Sequence, residues 1–187
     1  QSFDAHPKAA AKLFLSRSDL LLNLAVIYFL KGYQQVDVYL QSTHDADYQS
    51  ARQSLELANQ ALHQALLLDP TDIYALDEHA RVLFNLAYLD ESAGQNVSFA
   101  EVVAAFEKII FSDDKIKLNY SELIESSLFL VHAYAKNQDF DLAERHIHLI
   151  ESCLPNYWLV HYIKACVYHR KYEQVHQDAV LLKALRS

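Results

Sequence analysis

The sequence predicts an all-α protein, and three observations carry that prediction. Glycine occurs only at Gly32 and Gly94, and proline only at Pro7, Pro70 and Pro155, in 187 residues. Sheets with their hairpins, and most loop-built sites, need more turn formers than that. The intervals are filled by Ala, Leu, Glu, Gln and Lys, which are good helix formers. Residues also recur at helical spacing: Leu21, Leu24, Ala25 and Tyr28 stand at i, i+3, i+4 and i+7, as do Leu76, His79, Ala80 and Leu83, and Ser127, Leu130, Val131 and Tyr134. Such positions share one helix face.

Taken in order, Pro7 suits the first turn of a helix expected from about 8 to 41. The polar "STHDAD" (42–47) connects it to a second long helix that ends at Asp69-Pro70. A third helix is expected over about 71–92. "ESAGQN" (91–96) then reads as a loop, and Ser98 with Glu101 as a capping box opening a fourth helix. After the junction "SDDKIKLN" (112–119), helices are expected at about 120–137, 139–154, 157–170 and 172–185. The sum is about eight helices in one domain spanning 1–187, as hairpins at about 8–69, 71–113, 120–155 and 157–186. The first hairpin is the longest and is expected to project beyond the others.

Hydrophobic residues make up 52% and charged residues 21%, a balance of a folded chain rather than a disordered or fibrous one. The net charge of −8, with "HRK" at 169–171 as the densest basic run, excludes nucleic acid as the main partner, because a phosphate-tracking surface clusters Lys and Arg. No apolar run approaches the roughly 18 residues of a membrane span. "DLLLNLAVIYFLKG" (19–32) is interrupted by Asn23 and flanked by charges, so it reads as a buried helix. Methionine is absent, even at position 1, so a processed or truncated N-terminus is expected, and cytoplasmic and bacterial periplasmic or exported placements both stay open. Cys153 and Cys166 read as buried free thiols rather than as a bridge.

Enzyme signatures are missing from the chain: there is no G-x-S-x-G, phosphate-binding glycine loop or dinucleotide fingerprint. No enzymatic activity and no cofactor are therefore expected. His146 and His148 lie about 200° apart on a helix, so they cannot chelate one metal as an i, i+4 pair would. His132, His161 and His169, with Asp77, Glu78 and Glu125, lack any H-E-x-x-H or Cys-pair spacing. They read as solvated or hydrogen-bonded side chains, with no metal expected.

A repeat runs through the chain. Ala143 is followed by Ile147 four residues on and by Pro155 twelve on; Ala58, Leu62 and Pro70 repeat that ruler, as do Val102, Phe106 and Asp114, with Asp in the proline's place. Val175 and Ala179 begin a fourth copy. Ala80 follows Pro70 by ten residues, and Ala165 follows Pro155 by ten. At these residues the chain resembles the tetratricopeptide repeat family, whose unit of about 34 residues carries W-x₂-L-G-x₂-Y, then A-x₃-F, then Pro. The best copy, 124–157, keeps Tyr134, Phe140, Ala143 and Pro155 in register, although no copy has the Trp or the Gly.

The resemblance implies a right-handed TPR-like α-solenoid. Its packing positions would be Leu24, Ala25, Tyr28, Ala58, Leu62, Pro70, Ala80, Val102, Phe106, Leu130, Tyr134, Ala143, Ile147, Pro155, Ala165 and Tyr168. It also implies a non-enzymatic scaffold for protein–protein interaction, whose first helices line a concave groove. Tyr74, Asp77, Glu78, Arg81, Phe84, Leu128, His132, Tyr162 and His169 would then meet the partner. Family members that clamp acidic chaperone tails place Lys, Arg and Asn on this stripe. Here only Arg81 is basic, so the expected partner is a protein or peptide with apolar anchors and some positive charge. The alternative is a regulatory or sensor domain that holds a small peptide or ligand in the groove.

Overall fold

A computed structural model describes residues 7–185, with side chains described over 17–176. Helix α1 spans Pro7–Ser42, α2 Asp45–Leu68, α3 Ile73–Ser92, α4 Ala100–Ile110, α5 Tyr120–Lys136, α6 Phe140–Cys153 and α7 Trp158–Leu185, with a 3₁₀ turn at Asp113–Lys117. Among the described residues there is no strand, and the all-α class holds. The chain divides into two compact units, parted between Val97 and Ser98. The division falls inside the expected 71–113 hairpin, so α3 belongs to the first unit and α4 to the second.

In the first unit α1 lies along α2, and α3 packs on both. Small residues allow the close approach: Ala25, Ala51, Ala58, Ala61 and Ala65 are all buried. At Gly32 a Cβ would stand 2.8 Å from Leu55 Cδ2, closer than carbon atoms pack, so any larger residue would force the Leu55 side chain or the crossing to shift. Around these residues Leu62, Val82, Val36, Tyr39, Tyr48, Leu55 and Leu89 form two buried clusters, each large side chain contributing roughly 1.5–3 kcal/mol of transfer free energy. Pro70 is exposed and directly follows the Asp69 C-cap of α2. It stops a helix and adds nothing to the core. The Asp72 carboxylate then accepts the Tyr74 and Ala75 N–H groups to open α3.

In the second unit α5 packs on both α4 and α6, and α7 packs on α5 and α6. Phe99, Phe106, Ile109, Leu130, Val131, Tyr134 and Ile147 make its core, and the Phe106 ring stacks on Phe129 at 5.7 Å. The capping box expected at Ser98 and Glu101 does not form. Buried Phe99 takes the N-cap position of α4, and the Ser98 hydroxyl accepts only the Ala100 N–H, at 3.2 Å. A full box opens α5 instead: Glu122 N–H donates to Asn119 Oδ1 at 3.0 Å, and Asn119 N–H donates to Glu122 Oε2 at 2.8 Å.

The two helices expected at 157–170 and 172–185 are one, α7. No Gly, Pro or Asn lies between Trp158 and Leu185, so nothing in the sequence breaks the helix. The described residues thus hold seven helices rather than eight.

The packing positions divide. Ala25, Ala58, Leu62, Ala80, Val102, Phe106, Leu130, Tyr134, Ala143 and Ile147 are buried at 2% exposure or less, and Tyr28 is half-buried. Leu24, Ala165 and Tyr168 are exposed, as are Pro70 and Pro155. In α7 the buried stripe is Val160, Ile163 and Val167, one residue earlier than the repeat ruler puts it, which is a rotation of about 100°. The ruler would have turned His161 and Lys164 inward, whereas the apolar residues stand one place before them. Val175 is exposed too, and the side chain of Ala179 lies outside the described residues.

Candidate protein-interaction surfaces

The residues expected to meet a partner are split between the units: Tyr74, Asp77, Glu78, Arg81 and Phe84 on α3, and Leu128, His132, Tyr162 and His169 on α5 and α7. Phe84 and Leu128 are 5% and 4% exposed and serve their own cores. Asp77 is buried as well, accepting from Arg81 Nε at 2.9 Å with side-chain exposures of 6% and 12%. Arg81, expected to anchor a partner, thus holds a carboxylate one turn away on its own helix, while its carbonyl accepts from Asn85 Nδ2 at 2.8 Å. The stripe expected to line the groove therefore turns largely inward at Asp77, Phe84 and Leu128. Tyr74 and Tyr162 are exposed, and Glu78 and His132 are half-buried.

The outward face of α7 carries a row of large rings. Trp158, Tyr162 and Tyr172 are 69%, 58% and 69% exposed, and with Ala165, His169 and His176 they lie on one stripe opposite Val160, Ile163 and Val167. Tyr172 stacks on His176 at 6.0 Å, and His169 Nε2 approaches Glu173 Oε1 at 3.3 Å. Two ion pairs fix the rotation of α7 that presents this row. Lys164 Nζ donates to both Glu151 oxygens, at 3.0 and 2.8 Å, and Lys171 Nζ donates to Glu144 at 2.6 Å. Lys164, with His161 and His148 at 3.7 and 3.6 Å, holds the Glu151 carboxyl below the usual carboxylate range. Glu151 and Glu144 in turn raise Lys164 and Lys171.

A third feature is an apolar cavity of about 220 Å³ where the end of α4, the first half of α5 and the end of α6 meet. Ile110, Leu123, Ile124, Ile150 and Leu154 line it, together with Lys115 and Cys153. A neighbouring cavity of about 240 Å³ shares Tyr120, Ile124 and Leu154 and adds Ser121 and Tyr157. Both cysteines are free thiols; Cys153 is exposed and Cys166 half-buried, where burial of both was expected.

Sequence reasoning missed the polar network of the first unit. The Tyr48 hydroxyl donates to Asp90 Oδ1 at 2.8 Å and accepts from Gln95 Nε2 at 2.7 Å, and the Arg52 guanidinium donates to the same Asp90 oxygen. Asp90 chiefly, and Tyr48 after it, raise the Arg52 guanidinium above its ordinary value. These groups join α2 to the end of α3, which is a structural task. Tyr48 and Asp90 stand 42 residues apart, and no local pattern links them. Among the described residues no group of three His, Cys, Asp or Glu side chains is placed to hold a metal ion, and no helix is long and apolar enough to cross a membrane. Comparison with family models, with curated proteins and with solved structures found no match.

Proposed function

We propose that the chain is a non-enzymatic protein–protein interaction module whose units are built from TPR-like hairpins of the right-handed α-solenoid type. One observation carries the reading: three helices bury the same A-x₃-Φ pair, where Φ is a large apolar residue and Val replaces Ala once. The pairs are Ala58 with Leu62 on α2, Val102 with Phe106 on α4, and Ala143 with Ile147 on α6, none more than 2% exposed. Repeated hairpins of this kind present extended helical surfaces, and binding is what such surfaces offer. The ring-bearing face of α7 supports the same reading, because Trp and Tyr are the residues in which interface energy concentrates.

The test uses the full chain as bait, with chemical cross-linking and mass spectrometry to place each captured partner. Cross-links should concentrate on α7. A variant combining Trp158→Ala, Tyr162→Ala and Tyr172→Ala should weaken capture tenfold or more, since a central aromatic anchor carries about 2 kcal/mol or more. Undiminished capture by that variant, with an unchanged helical spectrum, overturns the assignment of α7 as the binding face.

A further inference from the structure

The apolar cavity of the second unit has a size and a charge that specify what it takes. At about 220 Å³ it exceeds the roughly 150 Å³ that holds a benzene molecule. It falls below the roughly 300–1,000 Å³ of pockets that enclose a drug-sized ligand. One large side chain of the Leu or Phe kind fits this part of the recess. Two further apolar lining residues, Tyr120 and Leu149, are exposed at 63% and 62%. Exposed rings and aliphatic groups around a recess are the usual form of an anchor site, where a single buried side chain provides most of the binding energy.

Charge narrows the occupant further. Lys115 is the only charged residue lining the cavity. Its neighbour Asp114 is taken by Lys117 at 2.9 Å, and among the described residues Lys115 enters no ion pair. The net charge of −8 favours a basic partner at long range. Salt screens that field beyond about 8–10 Å, so at the mouth the adjacent ammonium group prevails. The neighbouring cavity, with the hydroxyl groups of Ser121 and Tyr157, extends the recess and offers donors to a peptide backbone.

The geometry points to a docking site for a peptide segment of a partner protein, which inserts one large apolar side chain between α5 and α6 and sets an adjacent Asp or Glu against Lys115. This inference rests on the interaction-module reading and adds the chemistry of the partner. It is tested by titrating the ¹⁵N-labelled full chain with N-acetyl-Phe-Asp-amide, N-acetyl-Phe-Lys-amide and N-acetyl-Ala-Asp-amide. The Phe-Asp peptide should shift the amide signals of Ile124, Ile150 and Leu154 and bind at least fivefold tighter than the other two. It should also slow alkylation of Cys153 while leaving Cys166 unchanged. Lys115→Glu should invert the order of Phe-Asp and Phe-Lys. Ser127 also lines the cavity, so Ser127→Leu should fill it and abolish binding; should that variant fail to fold, the Lys115→Glu inversion still decides. Equal binding of Phe-Asp and Phe-Lys, or signal shifts confined to other residues, overturns the inference. Such a failure leaves capture through α7 standing, whereas loss of both removes the interaction-module reading.

Discussion

The Tyr134 hydroxyl donates to Glu107 Oε1 at 2.7 Å, tying α5 to α4 through a ring that is itself buried. Burial first, and the Glu107 carboxylate second, raise the phenol well above its ordinary value. Tyr134→Phe keeps the ring and deletes the bond. Hydrogen bonds to charged groups are worth about 1.5–3 kcal/mol, and because Glu107 is half-buried the loss should fall at the low end, about 1.5 kcal/mol. Tyr134→Ala should cost about 3–5 kcal/mol. Urea denaturation of the two variants separates the ring from its hydroxyl; an undiminished stability of Tyr134→Phe would show that the bond contributes nothing.

Gly32→Ala sets helix propensity against packing. In an open helix the change stabilises by roughly 1 kcal/mol. Here the new methyl would stand 2.8 Å from Leu55 Cδ2, and overpacking typically costs 1–3 kcal/mol. The expected outcome is a lowered melting temperature, and a raised one would mean that α1 and α2 lie farther apart than described.

The rotation of α7 makes a sharp contrast between neighbours. Val167→Asp places an unpaired carboxylate in a fully buried site and should destabilise severely. Tyr168→Ser, one residue on and exposed, should stay within about 0.5 kcal/mol of the parent. The reverse ranking would restore the register that the repeat ruler gives.

His146 sets a pH dependence. It is half-buried beside Phe111 and Tyr134, at ring distances of 5.9 and 5.4 Å, and burial lowers its pKa, with Glu107 opposing. A folded pKa below the unfolded value means that the unfolded chain binds the proton more readily. The stability from neutral His146 is therefore complete above about pH 6.5 and is lost as pH falls through the lower folded value. Melting temperatures measured between pH 7.5 and 5 should fall less for His146→Phe than for the parent over that window. Parallel curves would assign the acid sensitivity elsewhere. Glu151, held low by Lys164, adds a second loss only at more acid pH, below the ordinary carboxylate range.

How far the sequence revealed the molecule depends on whether a local pattern carried the information. Scarce glycine and proline led directly to helices, and the A-x₃-Φ ruler located the buried faces of α2, α4 and α6, because side-chain volume at a helix contact is written in adjacent turns. The ruler failed in α7, where the offset from Pro155 competed with apolar Val160, Ile163 and Val167 and lost. Ser98 and Glu101 had the spacing of a capping box, yet burial of Phe99 moved the helix start. The box that does form, at Asn119 and Glu122, has the N-x-x-E spacing, but it lies at the end of the polar run 112–119, which reads as a plain junction. The α3 groove was misjudged at Arg81, whose pairing with Asp77 is legible as i, i+4 spacing but whose burial is not. The cavity and the Tyr48–Asp90 bond join residues from separate helices, so they exist only once the chain is folded.

The sequence holds one tryptophan, Trp158, and it stands exposed at the head of α7 in the second unit. Excited at the red edge, where tyrosine no longer absorbs, the chain thus emits light from one half alone. A ligand that settles on α7 should announce itself as a blue shift without any label. A melting transition confined to the residues before Val97 would pass dark in emission while registering fully in circular dichroism, so disagreement between the two signals would measure how independently the halves unfold.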